Sequence, residues 1–140
     1  MQSFLEWVFP AQRNVVGFED VLYAKTLPKS FVLLSTLEIP NCLIRGTLSP
    51  EQEVIFVNEL LQKYTDTTTR IVVYGENAGD ERPYRKQTQL RSLGIGDVWV
   101  YAGGMFEWLL LQDVYGETEF PTTTAAKEND LLKWKMPKRW

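Results

Sequence analysis

Apolar residues occur along this chain as short continuous runs and as runs with helical spacing, in alternation. Continuous, partly β-branched apolar runs bounded by turn residues are typical of buried parallel strands. On this basis the sequence predicts four strands, at Phe31–Leu37, Cys42–Leu48, Arg70–Tyr74 and Val98–Tyr101.

Spacings of three and four residues between apolar positions predict helices. The predicted helices are Phe18–Lys25, Ser49–Tyr64, Arg82–Leu93 and Met105–Val114. The second has the strongest start, because Ser49 can cap it, Pro50 suits the first helical position and Gln52 completes a capping box. Its predicted buried face consists of Val54, Val57, Leu61 and Tyr64.

Alternation of strands and helices predicts an α/β fold, an open parallel sheet flanked by helices on both faces. We divide the chain into an aromatic N-terminal extension (1–14), one domain (15–126) and a basic, aromatic C-terminal tail (127–140). The helix that follows Gly103 and Gly104 is apolar nearly all round, which favours a core helix over a partner groove. The two glycines themselves indicate close packing rather than a phosphate loop, since no lysine follows them.

The composition removes several kinds of chemistry. The chain has no histidine and one cysteine, so Ser-His-Asp and Cys-His catalysis, imidazole zinc sites and disulfides within the chain are excluded. We expect no metal and no cofactor. A single cysteine and the absence of a secretion-signal pattern at the start also favour a reducing, intracellular and cytoplasmic setting.

Charge is distributed unevenly along the chain. The net charge is −3, but residues 127–140 carry five basic and two acidic residues, which leaves −6 on residues 1–126. An acidic body is a poor nucleic-acid surface, so we expect no nucleic-acid partner. No apolar stretch approaches the roughly 20 residues of a membrane helix, so we expect no membrane span.

Between Phe18 and Tyr115 the order of elements and several motifs resemble the rhodanese-homology domain. The glycine-glycine and tryptophan signature at Gly103–Trp108 is the most specific of them. The matching stretches are Phe31–Ser35, Leu43–Leu48, Ile71–Gly75, Leu93–Ile95, Val98–Tyr101 and Gly103–Trp108.

The resemblance implies a sulfurtransferase fold that lacks its nucleophile. Rhodanese chemistry uses a cysteine thiolate directly after the strand that matches Ile71–Tyr74, and Gly75 occupies that position here. Glu76, Asp80 and Glu81 add negative charge where an anion would be held, and Arg82 stands near the place of the closing arginine of the loop. The resemblance thus implies no catalytic residue at this site.

Two other interpretations stay open beside this one. The simplest structural interpretation of residues 75–82 is a solvated turn in which Asp80 or Glu81 favours the start of the next helix. The functional alternative is an unorthodox sulfurtransferase or phosphatase-like enzyme. Cys42 is the only thiol such an enzyme would have, but we expect it to be a small buried side chain.

Both ends of the chain carry aromatic residues that either fold back on the domain or bind a partner. An inactive rhodanese-like module is typically a docking or regulatory piece, so we take it as a structural or protein-interaction subunit of a larger assembly, cytoskeletal or virion. An acidic protein surface complements the basic tail. The candidate partner-binding residues are Trp7, Phe9, Trp134, Lys135, Lys138, Arg139 and Trp140.

Overall fold

Strands and helices alternate through the residues that the computed structural model describes, which are 14–38, 42–62 and 69–123. The strands are β1 (Val15–Val16), β2 (Phe31–Ser35), β3 (Arg70–Tyr74) and β4 (Val98–Tyr101). The helices are α1 (Phe18–Lys25), α2 (Pro50–Gln62), α3 (Arg82–Ser92) and α4 (Gly104–Tyr115).

The four strands form one parallel sheet in the order β1-β4-β3-β2. In the register of the sheet, Ser35 lies beside Tyr74, and Tyr74 lies beside Tyr101. The carboxyl ends of β2, β3 and β4 therefore meet at one edge. The predicted α/β fold with an open parallel sheet is confirmed.

Alternate residues of each strand face opposite sides of the sheet, as the two-residue period of a strand requires. Leu33, Val72 and Tyr74 pack with Val21 of α1 and with Trp108 of α4 on one face. On the other face, residues of β2, β3 and β4 pack with α2 and α3: Leu34, Ile71, Val73 and Val98 with Phe56, Val57, Leu60 and Leu90. The predicted placement of helices on both faces is thus confirmed.

The strand predicted at Cys42–Leu48 is wrong. This stretch makes only isolated bridges, from Ile44 to Thr122 and from Thr47 to Leu33. A turn interrupts it, in which the Thr47 N–H donates to the Ile44 carbonyl and Gly46 adopts a φ of 99°. No hydropathy pattern predicts β1, whose two residues gain their extended conformation by pairing with β4.

The predicted buried face of α2 is wrong in part. The exposed fractions of Val54 and Leu61 are 60% and 42%, and the face that packs on the sheet carries Phe56, Val57 and Leu60. Tyr64 lies outside the described residues. The half-buried Glu53 shares the packed side because its carboxylate lies 2.6 Å from the Lys86 ammonium of α3. The spacing of apolar residues along α2 cannot predict the ion pair between Glu53 and Lys86.

Helix α4 packs against the sheet as the core-helix interpretation predicts, although it is buried on one side only. Met105, Trp108 and Leu109 are buried, whereas Phe106, Leu110 and Val114 are exposed. The last three residues are spaced by four, which places them along the outer side of the helix.

The predicted start of α2 is confirmed. The Ser49 N–H donates to Gln52 Oε1, and the Gln52 N–H donates to Ser49 Oγ, so the predicted capping box is formed. Helix α1 has the predicted bounds. None of the helices in the described part of the chain has both the length and the apolar character needed to cross a membrane.

Candidate functional site

The candidate site is the loop of residues 75–82, which leaves the carboxyl end of β3 and leads into α3. In open parallel sheets, ligands bind at this edge, where loops from neighbouring strands converge. The predicted residues Gly75, Glu76, Asp80, Glu81 and Arg82 lie in this loop or at the start of α3.

The Asp80 carboxylate folds back into the loop. Its Oδ2 accepts the Glu76 N–H at 2.9 Å, and its Oδ1 accepts the Arg82 N–H at 3.0 Å. The Arg82 guanidinium binds both oxygens, with Nη2 2.7 Å from Oδ2 and Nε 2.9 Å from Oδ1. Only 8% of the Asp80 side chain is exposed. The anion that the N–H groups of the loop bind is therefore the chain's own Asp80 carboxylate.

The space directly above Gly75 is filled. A Cβ added to Gly75 would contact Asp80 Oδ2 and would lie 2.8 Å from Pro83 Cγ, closer than real Cβ atoms come to such neighbours. Position 75 thus has room for no side chain unless Asp80 and Pro83 move.

The positive charge of Arg82 is more than offset by neighbouring carboxylates. The hydrogen bonds from the Arg82 guanidinium hold the pKa of the Asp80 carboxyl well below its ordinary range. Arg82 also lies 3.6 Å from the carboxylates of Glu38 and Glu76. The cation that could attract an external anion therefore already has three carboxylates around it.

Helix α4 begins directly against this loop. The Met105 and Phe106 N–H groups donate to the carbonyls of Gly75 and Glu76 at 2.9 and 2.8 Å. Gly104 permits this approach, because it has a φ of 69° and a Cβ there would lie 2.8 Å from the Gly75 carbonyl oxygen. Gly104 thus serves close packing against the loop backbone, whereas a Cβ at Gly103 would meet the Glu107 side chain. These two N–H groups at the start of α4 are occupied by the protein.

A basic groove that the sequence pattern does not predict lies beside the loop. Arg82, Arg85, Lys86 and Gln89 of α3 line it together with Ser35 and Thr36 at the end of β2. Each cation has a carboxylate partner: Asp80 for Arg82, Glu81 for Arg85 and Glu53 for Lys86. The helical spacing of the three basic residues could have predicted the groove. That spacing does not show which carboxylates pair with them.

Cys42 is buried, with an exposed fraction of 2%. It belongs to the core cluster on the α1 and α4 face, which also contains Ile44 and Tyr74. The Tyr74 hydroxyl accepts the Ile44 N–H at 3.1 Å and lies 2.7 Å from Thr47 Oγ1. Burial raises the pKa of Tyr74, so the phenol is neutral at physiological pH.

The candidate partner-binding residues of the two ends lie outside the described residues: Trp7, Phe9, Trp134, Lys135, Lys138, Arg139 and Trp140. Within residues 14–38, 42–62 and 69–123, no group of three or more acidic or cysteine side chains is arranged to hold a metal ion.

Solved structures from several bacteria share this fold. The full-length protein from Lactobacillus plantarum aligns with a TM-score of 0.60 and 17% identity over 89% of this chain and 98% of its own. A protein from Bacillus halodurans gives 0.55 and 14%, covering 82% of each chain. A protein from Anabaena sp. gives 0.54 and 21%, covering 81% of this chain and 98% of its own. At these identities the likeness shows the fold alone.

Sequence comparison identifies the family. No curated protein matches the chain with significant similarity. The family model of the rhodanese-like domain matches residues 26–111, which lie within the stretch from Phe18 to Tyr115 that carried the resemblance. This match covers more than half of the chain, and the chain therefore belongs to the rhodanese-like domain family.

Proposed function

We propose that this protein is a catalytically inactive rhodanese-like module that acts as a structural or protein-interaction subunit of a larger assembly. The observation that carries the proposal is the Asp80 carboxylate above Gly75, in contact with the place where a side chain at position 75 would begin. Gly75 offers no nucleophile, and the loop has no vacant space for one.

The chemistry of the family supports this proposal. A persulfide mechanism needs a thiolate whose negative charge is stabilised by N–H groups of the loop and by a helix N-terminus. Here the Asp80 carboxylate accepts N–H groups at Glu76 and Arg82, so the loop stabilises a charge that cannot accept sulfur. External sulfane or phosphate anions would meet Glu76, Asp80 and Glu81.

Assays on the purified protein test the proposed lack of catalytic activity. With thiosulfate and cyanide we expect no thiocyanate above the buffer blank, while an active rhodanese assayed in parallel turns over. Intact-mass spectrometry after thiosulfate treatment is expected to show no added sulfur, and a nitrophenyl phosphate assay no hydrolysis. Turnover that disappears in Cys42→Ser would replace the proposal with the unorthodox enzyme.

The distribution of charge and of tryptophan along the chain supports the proposed protein-interaction role. The tail of residues 127–140 carries a charge of +3 and Trp134 and Trp140, whereas residues 1–126 carry −6. Tryptophan and arginine are enriched at the centres of protein interfaces. We propose an acidic protein surface as the partner, met in a reducing intracellular compartment and reached through the two ends of the chain.

A further inference from the structure

The outer side of α4 carries a continuous row of exposed apolar side chains. The exposed fractions of Phe106, Leu110 and Val114 are 42%, 47% and 65%, and their spacing of four residues places them in one line along the helix. We call this line, which contains no polar residue, the α4 stripe. Contiguous exposed apolar surface on a folded domain indicates an interaction site.

The carboxyl end of the α4 stripe is negatively charged. Asp113 is exposed beside Leu110 and Val114, and Glu117 and Glu119 follow the end of the helix. Among the residues that the structure describes, none of these three carboxylates has an ion-pair partner. The last turn of α4 contains no basic residue, so the helix supplies no cation to the negative end of its own dipole. The α4 stripe therefore fits a segment that combines apolar side chains with positive charge.

The C-terminal tail of this chain (127–140) has that composition. Trp134 and Met136 alternate with Lys133 and Lys135, and the tail as a whole has a net charge of +3, whereas the rest of the chain carries −6. A tryptophan is also the kind of large aromatic anchor on which protein interfaces depend. Charge and apolar content together thus make the tail complementary to the α4 stripe.

The described residues end on the side of α4 opposite to the stripe. The ring centroids of Phe120 and Trp108 lie 5.0 Å apart, and Trp108 Nε1 donates to the Pro121 carbonyl on the buried side of the helix. The Thr123 N–H then donates to the Leu43 carbonyl. To reach the stripe of its own copy, the tail would have to pass round a helix about 10–12 Å wide. The stripe of another copy is open to the tail without this detour.

We propose that the α4 stripe of one copy binds the C-terminal tail of a second copy. The apolar side chains of the tail cover Phe106, Leu110 and Val114, and its lysines face Asp113. The contact is heterologous, because it joins two different surfaces, and its repetition links copies into a ring or a filament. This inference rests on the proposed function, since it makes the chain's own domain the acidic surface that the tail binds.

Sedimentation velocity of the purified full chain over a concentration series tests the proposal. The wild type is expected to self-associate at about 100 μM or below and to dissociate as salt rises, because the attraction between lysines and carboxylates is screened. Leu110→Lys places a cation in the stripe, and Trp134→Ala removes the aromatic anchor of the tail. Each is expected to weaken self-association about tenfold or more.

Mixing these two variants identifies the geometry of the contact. The intact tail of Leu110→Lys can bind the intact stripe of Trp134→Ala, so the mixture is expected to form a complex of one copy of each, although each variant alone is mostly monomeric. Two stripes packed against each other would give no such rescue. A tail bound to its own stripe would leave the wild type monomeric at every concentration. Either result would overturn the proposal.

Two further variants separate association from folding. Asp113→Lys changes an exposed side chain beside the stripe and is expected to weaken association most at low salt. Ile55→Lys is the matched control, because Ile55 is 59% exposed on α2 and Glu59 follows it one turn later, so it belongs to no apolar line. It is expected to associate like the wild type. Equal weakening by Ile55→Lys and Leu110→Lys, with thermal midpoints unchanged, would contradict the assignment to α4.

This proposal and the proposed function fail in different experiments. A monomeric wild type that still captures another acidic protein through its tail would overturn the self-association and leave the proposed function intact. Thiosulfate turnover would overturn the proposed function and would not alter the result of mixing the two variants.

Discussion

At the scale of single residues, the Asp80 carboxylate is the group that the N–H groups of the candidate site bind. The sequence predicts that Asp80 or Glu81 favours the start of the next helix. In the structure the Asp80 carboxylate accepts the Arg82 N–H, while the Glu81 carboxylate pairs with Arg85 at 3.1 Å. Because Asp80 Oδ2 also accepts the Glu76 N–H, one carboxylate closes the loop from both ends.

Asp80→Asn is expected to lower the free energy of unfolding at pH 7 by about 2 kcal/mol, since it removes charged hydrogen bonds from a buried site. The pKa of Asp80 is lowered in the folded state. Its stabilisation is therefore present above the unfolded pKa of about 3.9 and is lost as the pH falls below that value.

Urea unfolding at neutral and acidic pH measures this effect. The difference between wild type and Asp80→Asn is expected to shrink with acidification, and the exposed Asp113→Asn serves as the control with little change at either pH. An undiminished difference in acid would contradict the role assigned to the Asp80 charge.

Gly75→Cys is expected to destabilise the protein and not to restore sulfur transfer. The new Cβ would contact Asp80 Oδ2, and the carboxylate would raise the pKa of the new thiol. Unfolding curves and the thiosulfate assay measure both effects. Adding Asp80→Gly is expected to relieve part of the steric loss, so that the two changes are non-additive in a double-mutant cycle. Strict additivity would show that Asp80 does not fill the space above position 75.

At the scale of elements, the sequence correctly predicts those strands and helices whose conformation is specified by neighbouring residues. Helix α1 and the capped start of α2 are specified by neighbouring residues, and β3 and β4 by continuous apolar runs, so all were predicted. Strand β1 depends on pairing with β4, and the 42–48 stretch is held by the Tyr74 hydroxyl, a residue about thirty positions away. The chain order of motifs located the 75–82 loop, but no local pattern shows that Asp80 folds back over Gly75.

Trp108 is the central contact of α4. It is fully buried, its ring lies 5.0 Å from that of Phe120 between centroids, and its Nε1 donates to the Pro121 carbonyl. Trp108→Ala is expected to lower the free energy of unfolding by about 3–5 kcal/mol, as large-to-small core changes do. Chemical denaturation measures the loss.

The same helix provides a matched control. Phe106 is 42% exposed, so Phe106→Ala is expected to lower the free energy of unfolding by no more than about 1 kcal/mol. Equal losses in Phe106→Ala and Trp108→Ala would mean that α4 does not pack as described.

At the scale of the whole molecule, charge and aromatic residues are separated along the chain. Three of the five tryptophans, Trp7, Trp134 and Trp140, lie in residues 1–14 and 127–140. The strands and helices of the described residues run from Val15 to Tyr115. The division into two extensions and one domain therefore remains a proposal that truncation can test.

A chain of residues 15–126 is expected to fold, with cooperative unfolding, and to lose the acidic partner that the full chain binds. Binding by the full chain is expected to weaken as salt rises, because exposed charges are screened beyond about 10 Å at 0.1 M ionic strength. Affinity capture from the native source, followed by mass spectrometry across a salt series, makes the comparison. Retained binding without the ends would move the interface onto the domain, and failure to fold would assign the ends to the core.

The contact between Asp80 and the space above Gly75 also constrains the evolution of this loop. A cysteine cannot be accommodated at position 75 while Asp80 keeps its place. A smaller residue at position 80, arising first, removes hydrogen bonds that close the loop and so lowers stability. Both mutational orders pass through a less stable intermediate, so a cysteine at position 75 requires two coordinated substitutions.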